Sequence, residues 1–181
     1  MKNSRNLTLS LLCVLLLASF GCQAESVQDQ DDKTFNKKGV TFQHPANWRI
    51  GTDENFGESR LLIVNAPNNA LVTIQINGSE GAESLETYAK DYSRIAAQEV
   101  RSGGKLSDEK MGKQKKDPRG FELIEEAFTV EVTGHKVPHD RKFYRKEFGK
   151  HVCFFVCQSS KENLAKVEKG FGQILSTFKL D

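Results

Sequence analysis

GVTFQHPANWRI, residues 39–50, is the segment from which the fold can be reasoned. Val40 and Phe42 alternate with polar residues, which is the period of a strand with one buried face. His44-Pro45 ends that strand, because proline cannot donate a ladder hydrogen bond and restricts the residue before it. Trp48, the single tryptophan of the chain, then starts a second short strand. We interpret its indole as a core anchor, with stacking on a ligand as the alternative.

Length and charge restrict the class of protein. With 181 residues, the chain is long enough for one globular domain with a substantial core. It carries 26 basic and 24 acidic residues, and Lys2 and Arg5 account for the excess of basic residues. The rest of the chain is electrically neutral, so bulk attraction to nucleic acid is not expected.

The amino terminus has the pattern of an export signal. Lys2 and Arg5 form a basic start, and an apolar, leucine-rich segment follows over residues 7–20. This segment is too short to span a bilayer comfortably and matches the hydrophobic region of a signal peptide. We therefore predict a signal peptide over residues 1–21.

The signal peptide could be cleaved at either of two positions. Residues 17–22, LASFGC, resemble a bacterial lipobox, in which a small residue precedes the cysteine that becomes lipid-modified, here Cys22. Ser19-Phe20 departs from the usual pattern, and cleavage after Ala24 is the alternative. We favour a lipidated Cys22, because this cysteine stands where the apolar segment ends. By resemblance to lipoproteins in general, Gln23 suggests sorting to the outer membrane, with the domain facing the periplasm; otherwise the protein is soluble and periplasmic.

Residues 22–38 are predicted to form a flexible polar tether. From Glu25 onward they read ESVQDQDDKTFNKK, with one aromatic residue and no hydrophobic period. Such a segment cannot bury enough apolar area to offset the entropy lost on ordering. The predicted organisation is therefore a signal peptide, a tether and a single globular domain over residues 39–181.

The first half of this domain predicts a hairpin and a helix. Residues 61–64 form a short apolar strand, residues 70–77 alternate as a strand does, and Pro67-Asn68-Asn69 forms the turn between them. Residues 51–59 are polar and predict a loop. Ser84 is a plausible N-cap for a helix whose apolar residues recur at helical spacing until a pair of glycines ends it.

The second half predicts a meander and a final helix. Residues 121–133, 137–148 and 151–158 have strand patterns, and the last, HVCFFVCQ, is apolar on both faces and should be central. Ser159 to Glu162 matches a capping box, and an apolar stripe from Leu164 to Phe178 follows it. The predicted fold class is α+β: an antiparallel sheet of about six strands, hairpin plus meander, flanked by helices.

This order of elements is similar to that of the PsbP family. The resemblance rests on VTFQHP at residues 40–45 with Trp48, on SLETYA at residues 84–89, and on FGQILSTF at residues 171–178. It covers about residues 39–180. PsbP itself is a lumenal subunit of the photosynthetic oxygen-evolving complex, and the family includes bacterial envelope lipoproteins. The resemblance implies an α/β/α sandwich that acts as a non-catalytic binding module.

The cysteine pair of the domain invites a disulfide, because the chain is predicted to be exported. Cys153 and Cys157 lie four residues apart in a predicted strand, however, a span of about 13 Å. A disulfide needs Cα atoms within about 7 Å. We therefore predict that both are buried, reduced thiols that act as small hydrophobic residues.

A metal-dependent or hydrolytic envelope enzyme is the alternative function. It would use His135, His139 and Asp140, which could form a zinc site in a loop. The histidines have the spacing of a helical metal pair, but Gly134 and Pro138 oppose a helix there. No other catalytic pattern or cofactor motif is recognisable, so neither a catalytic residue nor a cofactor is predicted.

The candidate partner surface lies on the strand RKFYRKEF, residues 141–148. We predict that Lys142, Tyr144 and Lys146 form its open face, because Phe143 is the better core residue. An aromatic ring between two cations suits an anionic partner. The expected function is that of an exported, lipid-anchored binding module of the bacterial cell envelope. Its expected partners are the membrane, through Cys22, and a protein or anionic ligand of the envelope.

Overall fold

The computed structural model describes residues 32–80, 82–100 and 103–181. The predicted signal peptide and Cys22 lie outside the described residues. The strands are β1 Lys33–Lys37, β2 Val40–His44, β3 Arg49–Phe56, β4 Ser59–Asn65, β5 Leu71–Gly78, β6 Lys105–Met111, β7 Lys115–Lys116, β8 Glu122–Val132, β9 His135–Phe148, β10 His151–Ser160 and β11 Lys179–Leu180. The helices are α1 Leu85–Val100 and α2 Leu164–Thr177.

The main sheet has eight strands, in the order β3-β4-β5-β10-β9-β8-β6, with β7 paired to β8. All of these pairings are antiparallel. β10 pairs with β5 on one side and with β9 on the other, which joins the amino-terminal hairpin to the meander. Its predicted central position is confirmed. The reason is that Phe154 faces one core while Phe155 faces the other.

A helix covers each face of this sheet. On one face, Leu85 and Tyr88 of α1 pack against Phe143 and Phe154. On the other face, α2 packs together with a second, three-stranded sheet of order β1-β2-β11. The two layers bury separate hydrophobic clusters, so the α+β class and the helix–sheet–helix sandwich are confirmed.

The main sheet has more strands than the six that the sequence predicts. β3 covers most of the segment that was predicted to be a loop. Its pattern is obscured because it carries polar side chains and is an edge strand, paired with β4 alone among the described strands. One of these, Asp53, accepts a hydrogen bond of 2.9 Å from Arg60 of β4. This bond holds the pKa of Asp53 below its ordinary value, against the opposing effect of burial.

The prediction that the tether extends to residue 38 is wrong. Lys33–Lys37 forms β1, antiparallel to β2, and Phe35 stacks on Phe42 with ring centroids 4.9 Å apart. Arg60 Nη1 donates to the carbonyls of Lys37 and Lys38 at 3.1 Å each. Partial burial of Phe35 and these contacts with distant residues order a segment that has no hydrophobic period of its own. The described domain therefore begins before residue 39.

Of the two predicted helix N-caps, one is confirmed and one is wrong. The predicted N-cap of α1 is confirmed, since the backbone N–H of Thr87 donates to Ser84 Oγ at 3.1 Å. The predicted capping box at Ser159 is wrong, because Ser159 and Ser160 are the last residues of β10. Pairing with β9 keeps them extended, and α2 has Asn163 at its N-cap.

No helix among residues 32–80, 82–100 and 103–181 is long and apolar enough to cross a membrane.

Candidate functional site

A groove lies where α2 meets the corner between β2 and β3; we call it the α2 groove. Its volume is about 760 Å³. This volume is within the range of about 300–1,000 Å³ that is usual for small-molecule sites. The residues that line it are Asp32, Gln43, Pro45, Ala46, Asn47, Trp48, Pro67, Asn68, Lys166, Val167, Lys169, Gly170, Gln173 and Ser176.

The floor of the α2 groove is built around Trp48. The Trp48 backbone N–H donates to the Pro45 carbonyl at 2.9 Å, which closes the corner that ends β2. Its side chain is 3% exposed and meets Phe171 of α2 edge to face, with ring centroids 5.6 Å apart. The prediction that Trp48 is a core anchor is confirmed, and the indole forms a buried floor below the groove.

Gly170 lets α2 approach this floor closely. A Cβ on Gly170 would lie 2.4 Å from Trp48 Cζ2 and 2.9 Å from Pro45 Cγ. Distances this short are repulsive for carbon atoms, so only glycine fits without a shift of the ring or of the helix. Glycine inside a helix is otherwise unfavourable. The sequence analysis did not predict the groove; a glycine within the apolar stripe of α2 was the signal that could have found it.

A tight turn between β4 and β5 forms one wall. Asn68 and Asn69 have φ of 58° and 59°, and the Ala70 N–H donates to the Pro67 carbonyl at 3.3 Å. Two consecutive left-handed residues are the mark of a type I′ turn, which suits the twist of a hairpin. Asparagine tolerates this backbone region better than most residues. The predicted turn is confirmed, and it places Asn68 at the groove.

The rim of the α2 groove is polar, and its cationic residues outnumber its acidic one. Lys166 and Lys169 stand one helical turn apart on α2 and are exposed. Lys166 Nζ donates to Asn163 Oδ1 at 3.2 Å, and neither lysine forms an ion pair within the part of the chain that the structure describes. Side-chain amides and Ser176 provide neutral hydrogen-bonding groups beside them. The arrangement suits a polar ligand that carries negative charge.

Comparison with known proteins shows that this chain resembles solved structures in its fold. No protein-family model and no curated protein matches the chain. A solution structure of cyanobacterial PsbP (CyanoP) from Synechocystis sp. PCC 6803 is similar over 88% of this chain and 97% of that one, with a TM-score of 0.55 and 9% identity.

The chain has a PsbP-like fold.

Two further solved structures match with lower TM-scores. LpqN, involved in cell envelope biogenesis of Mycobacterium tuberculosis, is 11% identical over 83% of this chain and 90% of that one, with a TM-score of 0.37. PA94, a Pseudomonas aeruginosa protein of unknown function described as a putative regulator, is 14% identical. The match covers 81% of this chain and 94% of that one, with a TM-score of 0.35.

The prediction of an open face at Lys142, Tyr144 and Lys146 is wrong. Tyr144 is 5% exposed, and it packs in the same hydrophobic cluster as Phe155. Burial raises the pKa of its phenol. The neighbouring Phe143 is buried as well, on the opposite face. The prediction failed because both faces of β9 are covered: α1 packs on the face of Phe143, and Phe121 and Arg119 lie against the ring of Tyr144 on the other face.

The two lysines beside Tyr144 have intramolecular partners. Lys142 Nζ lies 3.1 Å from Glu168 Oε1 on α2. Lys146 Nζ donates to the Arg119 carbonyl at 3.1 Å and lies 4.8 Å from the centre of the Phe121 ring. The lysine stems therefore cross covered apolar surface and place their charges at its rim. Binding of a partner by Lys142, Tyr144 and Lys146 stays a prediction, now without an exposed aromatic ring to support it.

The structure does not bring the candidate metal ligands together. His135 and His139 lie four residues apart on β9, where they pair with Val132 and Phe128, respectively. The His139 ring stacks on Phe128 with centroids 5.3 Å apart, and its Nδ1 lies 2.9 Å from the Val137 carbonyl oxygen. The segment belongs to β9, as its strand pattern predicts from residue 137 onward, and it does not form the loop that the zinc alternative assumed. Within the described residues, no group of three or more His, Cys, Asp or Glu side chains could hold a metal ion.

Cys153 and Cys157 are confirmed as free, buried thiols of β10. Burial raises the pKa of each thiol to about 12. Both side chains belong to the cluster below α2, in which they fill space beside Phe155. A protonated, buried thiol is a poor nucleophile, so the pair acts as small hydrophobic residues.

Sequence reasoning missed a buried ion pair on the opposite face of the sheet. Arg141 Nη1 donates to Glu126 Oε2 at 2.7 Å and to Ser93 Oγ at 3.1 Å, and its Nε donates to Gln158 Oε1 at 2.7 Å. The guanidinium carbon lies 4.4 Å from the centre of the Phe128 ring. Both charged side chains are almost fully buried. Glu126 and Arg141 sit opposite each other in the register of β8 and β9, so strand pairing was the signal that could have found them.

Proposed function

We propose that the chain is an exported, lipid-anchored binding module of the bacterial cell envelope that takes a ligand in the α2 groove. The observation that carries this proposal is the groove, with its volume of about 760 Å³. The basic start, the apolar segment and Cys22 of the amino-terminal sequence support export and anchoring. The PsbP-like sequence features support a non-catalytic binding role.

The α2 groove has the chemistry that ligand sites share. Such sites combine an apolar floor with a few polar groups that orient the ligand. Here Trp48 and Val167 are buried below the groove, while Asn68 and Lys169 stand at its exposed wall and rim. These groups come from three separate elements that the surrounding core holds in place. The groove needs little reorganisation to accept a ligand, and this lowers the entropic cost of binding.

Photo-crosslinking from the groove tests this function. A photoreactive amino acid is placed at Asn68 or Gln173 of the full-length protein in intact cells, with Lys113 and Lys116 as control positions outside the groove. We expect covalent adducts of one defined mass from both groove positions and none from the controls. Equal labelling from all four positions, or no adduct from the groove, would reject the groove as the binding site.

The absence of catalysis is part of the same proposal. Metal analysis of the purified protein tests the alternative that uses His135, His139 and Asp140. We expect no stoichiometric zinc. If zinc binds at one equivalent and His139→Ala removes it, a metal-dependent enzyme replaces the non-catalytic assignment.

A further inference from the structure

The α2 groove lies where the described chain begins. Asp32 is the first described residue, and it lines the groove. The predicted lipid-bearing residue, Cys22, stands only ten residues before it. Ten residues span at most about 35 Å when fully extended. In an anchored chain, Asp32 at the edge of this groove therefore lies within about 35 Å of the membrane surface.

The charges of the rim complement that surface. The cationic residues that line the groove, Lys166 and Lys169, outnumber its one acidic residue, Asp32. Lysine side chains close to an anionic bilayer are attracted to its surface. The opposite flank of α2 differs, since Glu168 there is paired with Lys142. The unpaired positive charge of α2 is thus concentrated on the groove side.

The groove also contains the neutral groups that a lipid headgroup needs. Asn47, Asn68 and Gln173 line it with side-chain amides, and Ser176 adds a hydroxyl. Phosphate oxygens accept hydrogen bonds from lysine ammonium groups and from amides, and amides also bond to hydroxyl groups. A flat basic patch would attract the bilayer but would offer no enclosed place for one headgroup. The volume of the α2 groove supplies that place.

We propose that the α2 groove binds the phosphate-bearing headgroup of an anionic phospholipid in the membrane to which the chain is anchored. Lys166 and Lys169 contact the phosphate, and the amides of Asn68 and Gln173 contact the headgroup hydroxyls. This assignment rests on the proposed function, because it names the ligand of the same groove and uses the anchor at Cys22.

Vesicle binding by a chain without its lipid tests the assignment. The protein from residue 22 onward is purified with Cys22→Ser and mixed with vesicles of phosphatidylcholine, with or without 30 mol% phosphatidylglycerol (about one third anionic lipid, enough for a surface potential of tens of millivolts). Binding is followed by co-sedimentation and by the emission of Trp48, the only tryptophan. We expect roughly tenfold stronger binding to the anionic vesicles, which weakens as salt is raised.

Three variants separate headgroup binding from general adsorption. Lys166→Glu with Lys169→Glu should reduce binding to anionic vesicles by roughly tenfold or more, whereas the matched reversal Lys113→Glu with Lys116→Glu should leave it within about twofold. Gln173→Phe fills the groove and leaves the charge unchanged. It should therefore bind anionic vesicles more weakly than the parent protein does and should abolish the change in Trp48 emission. If Gln173→Phe binds like the parent protein, or if both reversals weaken binding equally, adsorption replaces the groove assignment.

The source of the phosphate is tested with inorganic phosphate and glycerol phosphate alone. A Trp48 response to these ions in a protein that ignores anionic vesicles would overturn the membrane assignment in favour of a free anion. If photo-crosslinks form from Asn68 and Gln173 while no vesicle binds, the binding function stands and the lipid assignment falls. The two proposals can therefore fail separately.

Discussion

At the scale of single residues, the two glycines of α2 have opposite roles. Gly170 faces Trp48, whereas a Cβ on Gly172 would meet nothing nearer than Arg119 Nη1, at 3.9 Å. Both glycines reduce the intrinsic stability of the helix. Only Gly170 compensates for this by permitting close contact with the floor of the groove.

Alanine at these two positions should therefore change stability in opposite directions. We expect Gly170→Ala to lower the free energy of unfolding by about 1–3 kcal/mol, because the added methyl group overlaps the indole of Trp48. Gly172→Ala should raise it by about 0.5–1 kcal/mol through helix propensity. Denaturant unfolding of the two variants beside the parent protein measures both changes. A stabilising Gly170→Ala would show that α2 does not rest on Trp48 as the structure describes.

Asp53 makes stability depend on pH in a defined direction. Hydrogen bonds from Arg60 and Lys37 and their positive charges hold its pKa below the ordinary 3.8. A carboxyl whose pKa is lowered by folding adds stability that is complete above the unfolded value and is lost as pH falls through the folded value. We expect Asp53→Asn to cost about 1–3 kcal/mol at pH 7, with the difference shrinking below about pH 4.

Asp91→Asn is the control for this titration. Asp91 forms an exposed pair with Arg94 at 3.1 Å, and exposed pairs contribute little. Its stability should follow that of the parent protein at every pH. If the curves of Asp53→Asn and the parent protein run parallel from pH 7 to pH 2, Asp53 does not supply the pH dependence.

At the scale of secondary-structure elements, the pair of Arg141 and Glu126 joins three of them. Ser93 belongs to α1, Glu126 to β8 and Arg141 to β9, and hydrogen bonds of 2.9 Å and 2.7 Å connect Glu126 to the other two. Removal of one member leaves a charge buried without its partner, which is more costly than the loss of both members.

A double-mutant cycle tests this link between elements. We expect Glu126→Leu alone, and Arg141→Met alone, to lower the free energy of unfolding by about 3–5 kcal/mol. The double variant should be more stable than either single variant, because it buries two apolar side chains and no unpaired charge. Denaturant unfolding of the four proteins provides the cycle. Additive losses would mean that the two side chains are not coupled.

The strand β1 is the second feature that depends on contacts between elements. It pairs along its whole length with β2, and Lys37 Nζ lies 2.7 Å from Asp53 Oδ2. A chain that starts at Lys38 lacks these contacts. We expect its melting temperature to lie roughly 5–10 °C below that of a chain that starts at Asp32.

Thermal unfolding also tests whether the flexible tether is limited to residues 22–31. A chain that starts at residue 22 should melt at the same temperature as the chain that starts at Asp32, because residues 22–31 are predicted to contribute no buried area. If removal of residues 22–31 is as destabilising as removal of β1, the ordered domain begins earlier in the chain than Asp32.

At the scale of the whole molecule, the predicted anchor at Cys22 would restrict the orientation of the domain. The chain enters the domain beside the α2 groove, and the strand that follows is held to the main sheet by Arg60 and Asp53. A lipid on Cys22 would therefore limit how far this side of the domain can lie from the membrane, because only ten residues separate Cys22 from Asp32.

The mature amino terminus decides whether this orientation applies. We expect protein isolated from the membrane fraction to begin at Cys22 and to carry the mass of acyl chains, because the cysteine follows the apolar segment directly. Intact mass spectrometry measures both properties. A mature chain that begins at Glu25 without acyl mass would contradict the prediction and remove the geometric basis for the headgroup assignment.

The sequence by itself determined the features that depend on a residue's neighbours in the chain. Alternation predicted β2 and the central β10, helical spacing with Ser84 predicted α1, and strand geometry predicted that Cys153 and Cys157 stay unpaired. These patterns are readable because burial repeats with the period of the element.

Tertiary structure alone decided which surfaces are open and which segments are ordered. Tyr144 is covered because Phe121 and Arg119 lie against its ring, and β1 is ordered because Arg60 and Phe42 meet it. The α2 groove has its floor because Gly170 lies against Trp48. Each of these contacts joins residues that are distant along the chain. A local pattern shows that a side chain is buried or exposed on its own element, but it does not show which distant element will cover it.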